Sequence, residues 1–165
     1  VTESIEARAW VALGSNLDDP AGQVQHALAA LGELPRTRLL RHSRLYRSAP
    51  WGMTEQPAFI NAVAELATTL PPRQLLDALL ATERAQGRRR DGQRWGPRTL
   101  DLDLLTYSDV RSDTPDLVLP HPHIAERAFV LVPLAELDAD LEIPGVGLVR
   151  DLLGRVDAGD CIPIA

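Results

Sequence analysis

Residues 99–107, TLDLDLLTY, alternate with the period of two that marks an extended strand. Successive side chains on a strand point to opposite faces, so Leu100, Leu102 and Leu104 share one side and Asp101 and Asp103 share the other. The leucine side belongs to a core. The other side holds two acids that would be costly to bury without partners. Any fold for this chain must therefore give that strand an apolar layer on one face and a polar task or open water on the other.

Two residues along a strand separate Cα atoms by about 6.6 Å. Carboxylates at that spacing can lean together and share one or two hard cations, and Mg²⁺ is the natural candidate because it takes oxygen ligands and leaves places for phosphates and water. The plain alternative is a solvated acidic face paired with arginines. The preceding loop, GRRRDGQRWGP over 87–97, bears on that choice. Arg88, Arg89, Arg90, Arg94 and Arg98 put five guanidiniums within eleven residues of a chain whose net charge is −6. Guanidinium binds phosphate in a bidentate fork. Carboxylates and arginines side by side thus suit a metal–phosphate site, with an ordinary solvated basic loop as the competing reading.

The remaining chain reads as an alternation of short strands and helices. AWVAL (9–13) is an apolar strand ending in the turn Gly14-Ser15-Asn16. Asp18 or Asp19 can cap a helix with Pro20 at its first position, and Val24, Ala27, Leu28 and Leu31 recur at helical spacing until Gly32 and Pro35. Residues 37–47 read as one strand with a polar face, 48–57 as a loop. In AFINAVAELATTL (58–70), Ala58, Ile60, Ala62, Ala64 and Leu66 face one way; Phe59, Asn61, Val63 and Glu65 face the other. Thr69 before Pro71-Pro72 signals a helix start, Leu75, Leu76, Leu79 and Leu80 form its stripe, and Gly87 fits its C-terminal cap. A turn near Ser108-Asp109 leads to the strand LVLP (117–120). HIAERAFVLVPLAEL (123–137) is one helix or two short ones, and LEIPGVGLVRDLL (141–153) a hairpin with a last helical turn. This order predicts one domain over 1–165, an α+β sandwich with a largely antiparallel central sheet.

Several function classes are disfavoured. An acidic chain is a poor general nucleic-acid or anionic-membrane binder. No stretch approaches 18 consecutive apolar residues. The N-terminal residues lack the pattern of a signal peptide and Cys161 is the single cysteine, so a cytoplasmic protein without an internal disulfide is expected. No P-loop motif occurs, Gly145-Val-Gly147 suits a hairpin better than a dinucleotide site, and His121-Pro-His123 without a further cluster argues against zinc.

RWGPRTLDLDLL (94–105) resembles the signature of the 6-hydroxymethyl-7,8-dihydropterin pyrophosphokinases of folate biosynthesis. ALGSNLDDP (12–20), LYRSAPWG (45–52), QPAFINAVAEL (56–66), ERAQGRRR (83–90) and LPHPHIAERAFVLVPLAEL (119–137) resemble further blocks of that family in its order. The resemblance implies an α/β sandwich with helices on both faces, a ferredoxin-like elaboration. It implies transfer of the β,γ-pyrophosphoryl group of ATP to the pterin hydroxymethyl oxygen, with release of AMP and help from two Mg²⁺ ions. Asp101 and Asp103 match the metal ligands. Arg88 and Arg98 match arginines that engage the phosphates, Arg90 another from the same loop, and Trp95 an aromatic that helps seal the site. His121 and Arg127 match nucleotide contacts, with Glu83 and Leu104 expected on the ATP side. Phe59 and Phe129 match an aromatic pair that sandwiches the pterin, Asn61 the amide that reads its edge, Ser48 and Trp51 loop contacts, and Gly14 the pocket floor. No partner beyond the two substrates and no oligomer is expected.

Phe59 and Phe129 are the only phenylalanines, and Asn61 shares a strand face with Phe59. Stacking rings with an adjacent amide suit a flat heterocycle, whereas two ordinary core phenylalanines would leave Asn61 as a buried amide needing partners. Position 122 is Pro where some family members have Tyr, and Asp116 and Val118 stand where some carry a basic or hydroxyl residue. Loops 48–57 and 87–97 read as lids. The rival functions are a Mg²⁺-dependent phosphohydrolase and a non-catalytic nucleotide-sensing domain.

Overall fold

A computed structural model describes residues 6–49, 56–86 and 100–164. Its centre is β1 (Ala7–Ser15), a nine-residue strand whose side chains are buried on both faces except at Arg8. β1 lies antiparallel between β4 (Phe59–Thr68) and β5 (Asp101–Tyr107), which explains why its sequence is a continuous apolar run rather than an alternating one. β2 (Thr37–His42) and β3 (Tyr46–Ser48) both pair with the far side of β4, and β10 (Ile162–Pro163) extends the sheet from β3. The resulting order is β10-β3-β4-β1-β5, with β2 also on β4, and every pairing is antiparallel. β6 (Ser112–Thr114) with β7 (Leu117–Leu119), and β8 (Glu142–Ile143) with β9 (Gly147–Leu148), form two separate hairpins.

Helices cover both faces of the sheet, as expected. On one face α1 (Pro20–Leu31) and α2 (Pro72–Ala85) bury Val24, Leu28, Leu31, Leu75 and Leu79 against Val11, Leu13, Ala64, Leu66, Leu102 and Leu104. On the other, α3 (Ala128–Asp138) and α4 (Val149–Leu153) bury Val130, Leu131, Leu134, Val149 and Leu152 against Trp10, Ala12, Val63 and Leu105. Leu131 and Leu134 are fully shielded; truncating either to Ala would cost about 2–5 kcal/mol. Among the described residues no helix is long and apolar enough to cross a membrane.

Local signals explain most boundaries. Asp19 caps α1, its Oδ1 accepting the Gly22 N–H at 3.3 Å, with Pro20 just inside the helix. Asp18 and Asp19 adopt positive φ (55° and 63°), which Asp tolerates better than most residues. The single strand expected over 37–47 is two. Both run along β4, but His42 pairs with Ala64 and Tyr46 with Asn61, so three residues bridge what two span on the partner. This bulge is held by Ser43, whose N–H donates to Val63 O and whose Oγ accepts the Val63 N–H and donates to Arg44 O. Thr69 does not cap α2, whose N-cap residue is Pro71 and makes no side-chain capping bond; the Thr69 Oγ1 accepts from Arg36 Nε instead. The buried stripe of α2 is Leu75, Leu79 and Glu83, while Leu76 and Leu80 are half-buried. β6 and β10 carry too few residues to leave a pattern and were not expected. Residues 123–137 form a short 3₁₀ turn, Ile124–Glu126, and then α3. Gly87, expected as a cap, lies outside the described residues, and Gln86 ends α2.

Cys161 is 8% exposed, and its thiol is pushed up to about 11, mainly by burial and further by Asp160.

Candidate active site

The expected split of β5 is present: Leu100, Leu102 and Leu104 sit in the α1/α2 layer, and Asp101 and Asp103 emerge on the opposite face. They open into a cavity of about 550 Å³ including its mouth. Register then determines what faces them. Gly14 on β1 is paired with Asp101 on one side and with Asn61 on the other. Cross-strand partners share a face, so a bare glycine lies between the amide and the acid. A Cβ at position 14 would stand 3.1 Å from Asn61 Oδ1 and 3.8 Å from Phe59 Cδ1, closer to the amide than side chains normally pack.

Phe59 and Asn61 come from the start of β4, Phe129 and Arg127 from the start of α3, and Ser48 and Ala49 from the end of β3; all line the same cavity. Asn61 is 4% exposed and its Nδ2 donates to Ser48 Oγ at 2.6 Å. That hydrogen bond fixes the amide with Oδ1 turned toward Gly14. Arg127 occupies the residue before α3 in an extended conformation, which carries its chain back over the site rather than along the helix. Its guanidinium lies 5.5 Å from the centre of the Phe129 ring, and its Nη1 is 3.6 Å from Asp103 Oδ2. His121 Nε2 is 3.9 Å from the same oxygen. Burial, helped by Arg127 and His123 and opposed by Asp101, lowers the His121 pKa to about 4, so the ring is neutral at pH 7.

The structure thus brings together Gly14, Ser48, Phe59, Asn61, Asp101, Asp103, Arg127 and Phe129, with His121 beside them. Two positions expected on the ATP side are buried. Leu104 packs into the α1/α2 layer at 5% exposure, which leaves only its backbone for any nucleotide contact. Glu83 is 1% exposed, and its Oε2 accepts the Leu102 N–H at 2.7 Å. Trp51, Arg88, Arg89, Arg90, Arg94, Trp95 and Arg98 lie outside the described residues, as do most of the two expected lids.

Sequence reading overlooked Ala12, Leu13 and Ala49 as lining residues, and Asn16 as a positioning one. Asn16 is 2% exposed and donates to Gln56 Oε1 and Pro57 O, tying the turn after β1 to the approach to Phe59. An asparagine directly after a Gly-Ser strand end is the only sequence signal for this, and it equally signals an ordinary turn.

The sequence pattern of the 7,8-dihydro-6-hydroxymethylpterin-pyrophosphokinase family matches residues 10–139. The chain belongs to this family. The Pseudomonas aeruginosa 2-amino-4-hydroxy-6-hydroxymethyldihydropteridine pyrophosphokinase is 56% identical over 146 residues, 88% of this chain and 90% of that protein. The enzyme of the same name from Methylorubrum extorquens is 45% identical over 150 residues, 91% of this chain and 94% of that protein. The fold recurs in a crystal structure of Plasmodium falciparum HPPK-DHPS with pterin and p-hydroxybenzoate, at a TM-score of 0.71 and 13% identity. That match covers 93% of this chain and 44% of the longer Plasmodium chain.

Proposed function

We propose that the protein transfers the β,γ-pyrophosphoryl group of ATP to the hydroxymethyl oxygen of 6-hydroxymethyl-7,8-dihydropterin in folate biosynthesis. The hydroxymethyl oxygen attacks the β-phosphorus, the bond from that phosphorus to the α,β-bridging oxygen breaks, AMP departs, and the hydroxyl proton is lost. The observation that carries this reading is the single cavity lined by Phe59, Phe129, Asn61, Asp101 and Asp103. A phosphohydrolase or a nucleotide sensor has no use for a ring pair and a locked amide beside paired acids.

In this reading Phe59 and Phe129 stack on the pterin, and Asn61, held by Ser48, offers Oδ1 to an N–H on its edge. Gly14 keeps the floor low enough for the ring to reach that amide. Arg127 lies between the aromatic and acidic halves, where a fixed cation offsets phosphate charge. Neutral His121 offers a hydrogen bond without competing for cations. Asp101 and Asp103 are half-buried oxygen donors on one face, a set that fits Mg²⁺ with positions left for phosphate oxygens. They would hold the two Mg²⁺ ions, whose chemistry is charge neutralisation at the phosphates and acidification of the attacking hydroxyl. Arg88 and Arg98 would engage the phosphates during transfer, with Arg90, Trp95 and Trp51 completing the site. Transfer of this kind rests on positioning and electrostatics more than on covalent help. The enzyme is further proposed to be cytoplasmic and monomeric, acting on small molecules alone.

The test is direct. Protein, ATP, Mg²⁺ and the pterin alcohol are mixed, and nucleotide products are separated. AMP that forms only when pterin is present is the expected result; ADP as the product rejects the assignment.

A further inference from the structure

Among the described residues β5 is the outer strand of the sheet on its side, with β1 as its one strand neighbour in that sheet. Backbone N–H groups along a strand point alternately to its two edges. Leu102 donates its N–H to Glu83, so Leu102 faces outward and its neighbours Asp101 and Asp103 turn their backbone groups inward, toward β1. The amide bound by Glu83 thus lies between the two acids in sequence, on the edge away from β1. The ladder with β1 shifts register between Val11 and Trp10, leaving Leu105 as an extra residue, and there the chain after β7 meets β5, His121 N–H donating to Leu105 O at 2.9 Å.

Glu83 is an unusual choice for that position. It lies in the buried stripe of α2 with Leu75 and Leu79, at 1% exposure, where an apolar side chain would pack without an ionisable group to satisfy. Its Oε2 meets the Leu102 amide at 2.7 Å, a short hydrogen bond that crosses from helix to strand. The carboxyl is not among the groups that line the cavity between Phe59 and Asp103.

We propose that Glu83 is a positioning residue: by accepting the Leu102 N–H it fixes the twist and height of β5, and so the separation and aim of the Asp101 and Asp103 carboxylates. This assignment rests on the reading of those aspartates as the Mg²⁺ ligands. A ligand pair set by a strand needs that strand held on both edges, because small rotations of the backbone change where two carboxylates converge. β1 holds one edge by its ladder, and Glu83 holds the other from α2. What matters is an acceptor oxygen at that place, so Gln serves where Leu does not.

The experiment compares wild type with Glu83→Gln and Glu83→Leu. Amide hydrogen exchange followed by NMR reads Leu102 directly, without metal or nucleotide. Slow exchange in wild type and Glu83→Gln, and fast exchange in Glu83→Leu, is expected. Calorimetry then measures binding of a Mg²⁺ complex of a non-transferable ATP analogue and, separately, of the pterin without metal. Glu83→Leu should weaken the Mg²⁺–nucleotide complex about tenfold and pterin less than about twofold, whereas Glu83→Gln should leave both within about twofold. Equal losses for both ligands in Glu83→Leu would mean general loosening and would overturn the proposal. So would a Gln variant that behaves like Leu. Free exchange of Leu102 in the wild-type protein overturns it even where Glu83→Leu does not fold. Failure of wild type to form AMP, with these binding and exchange results intact, would count against the proposed reaction rather than against the role of Glu83.

Discussion

Gly14→Ala tests the geometry of the cavity most sharply, because it should move stability and function in opposite directions. Glycine in a strand loses more chain entropy on folding than alanine, so the substitution alone favours the fold by about 0.4–1 kcal/mol where the backbone is compatible. Gly14 is absent from the positive-φ residues, so alanine meets no backbone strain. The new methyl would be 3.1 Å from Asn61 Oδ1 and 4.0 Å from Ile60 O. Ordinary contact begins near 3.4 Å, so the amide must give by about 0.3 Å. Asn61 cannot give freely, since its Nδ2 is already bound to Ser48 Oγ at 2.6 Å. A shift of that size leaves the bond to Ser48 made but turns Oδ1 off the line an incoming N–H needs, which costs about 1–1.5 kcal/mol of pterin binding, or roughly tenfold in affinity. The methyl also stands on the floor between Asn61 and Asp101, so steric loss adds to this figure. Calorimetric titration with pterin and a thermal melt are sufficient assays. The expected result is at least about tenfold weaker pterin binding, with a Tm unchanged or raised by up to about 3 °C. Undiminished pterin affinity would refute the placement of Gly14 beneath the ring. A Tm lower by several degrees would refute the claim that only the amide resists the methyl.

Other outcomes follow from the same coordinates. Asp101→Ala and Asp103→Ala should each lower kcat by about 10³-fold or more while circular dichroism and Tm stay near wild type, since both side chains are half-exposed; retained turnover would remove the metal role. The pKa of His121, lowered to about 4 in the fold against 6.5 unfolded, means that its stability contribution is complete above about pH 6.5 and is lost as pH falls toward 4. The loss amounts to about 3 kcal/mol, and urea melts of His121→Gln should lack that part of the acid slope. Tyr46 Oη donates to Glu136 Oε1 at 2.5 Å, joining β3 to α3. Burial pushes the Glu136 carboxyl up, but bonds from Tyr46 and Arg44 outweigh it and leave the pKa lowered. Stability from this group is therefore present above the unfolded carboxyl pKa and lost as pH falls through the folded one, so Tyr46→Phe should cost about 1 kcal/mol at pH 7 and less at pH 3.

The parts of the molecule legible in the sequence were those set by short-range rules. Period-two alternation placed Asp101 and Asp103 opposite Leu102 and Leu104, and Phe59 and Asn61 opposite Ile60, because faces of a strand are fixed by neighbours alone. Asp19 and Pro20 announced α1 for the same reason. What was illegible depended on partners far away in the chain. The Ser43 bulge exists because β4 leaves Val63 facing it, and nothing within 37–47 records that. Glu83 was expected on the ATP side from the family resemblance; its bond to the Leu102 N–H, which joins α2 to β5, left no local signal. Asn61 came to lie beside Gly14 through a register across two strands that no local pattern encodes. The resemblance to family blocks supplied roles for such positions where residue patterns alone left them open.

The shielded thiol near the chain's end has a practical reach. With its pKa at about 11, only about one Cys161 side chain in ten thousand is thiolate at pH 7, and the sulfur is walled off as well. Alkylating reagents will therefore pass the natural chain by. A cysteine grafted onto any exposed site becomes the sole fast-reacting handle, so spectroscopic probes can be attached without first deleting the native residue.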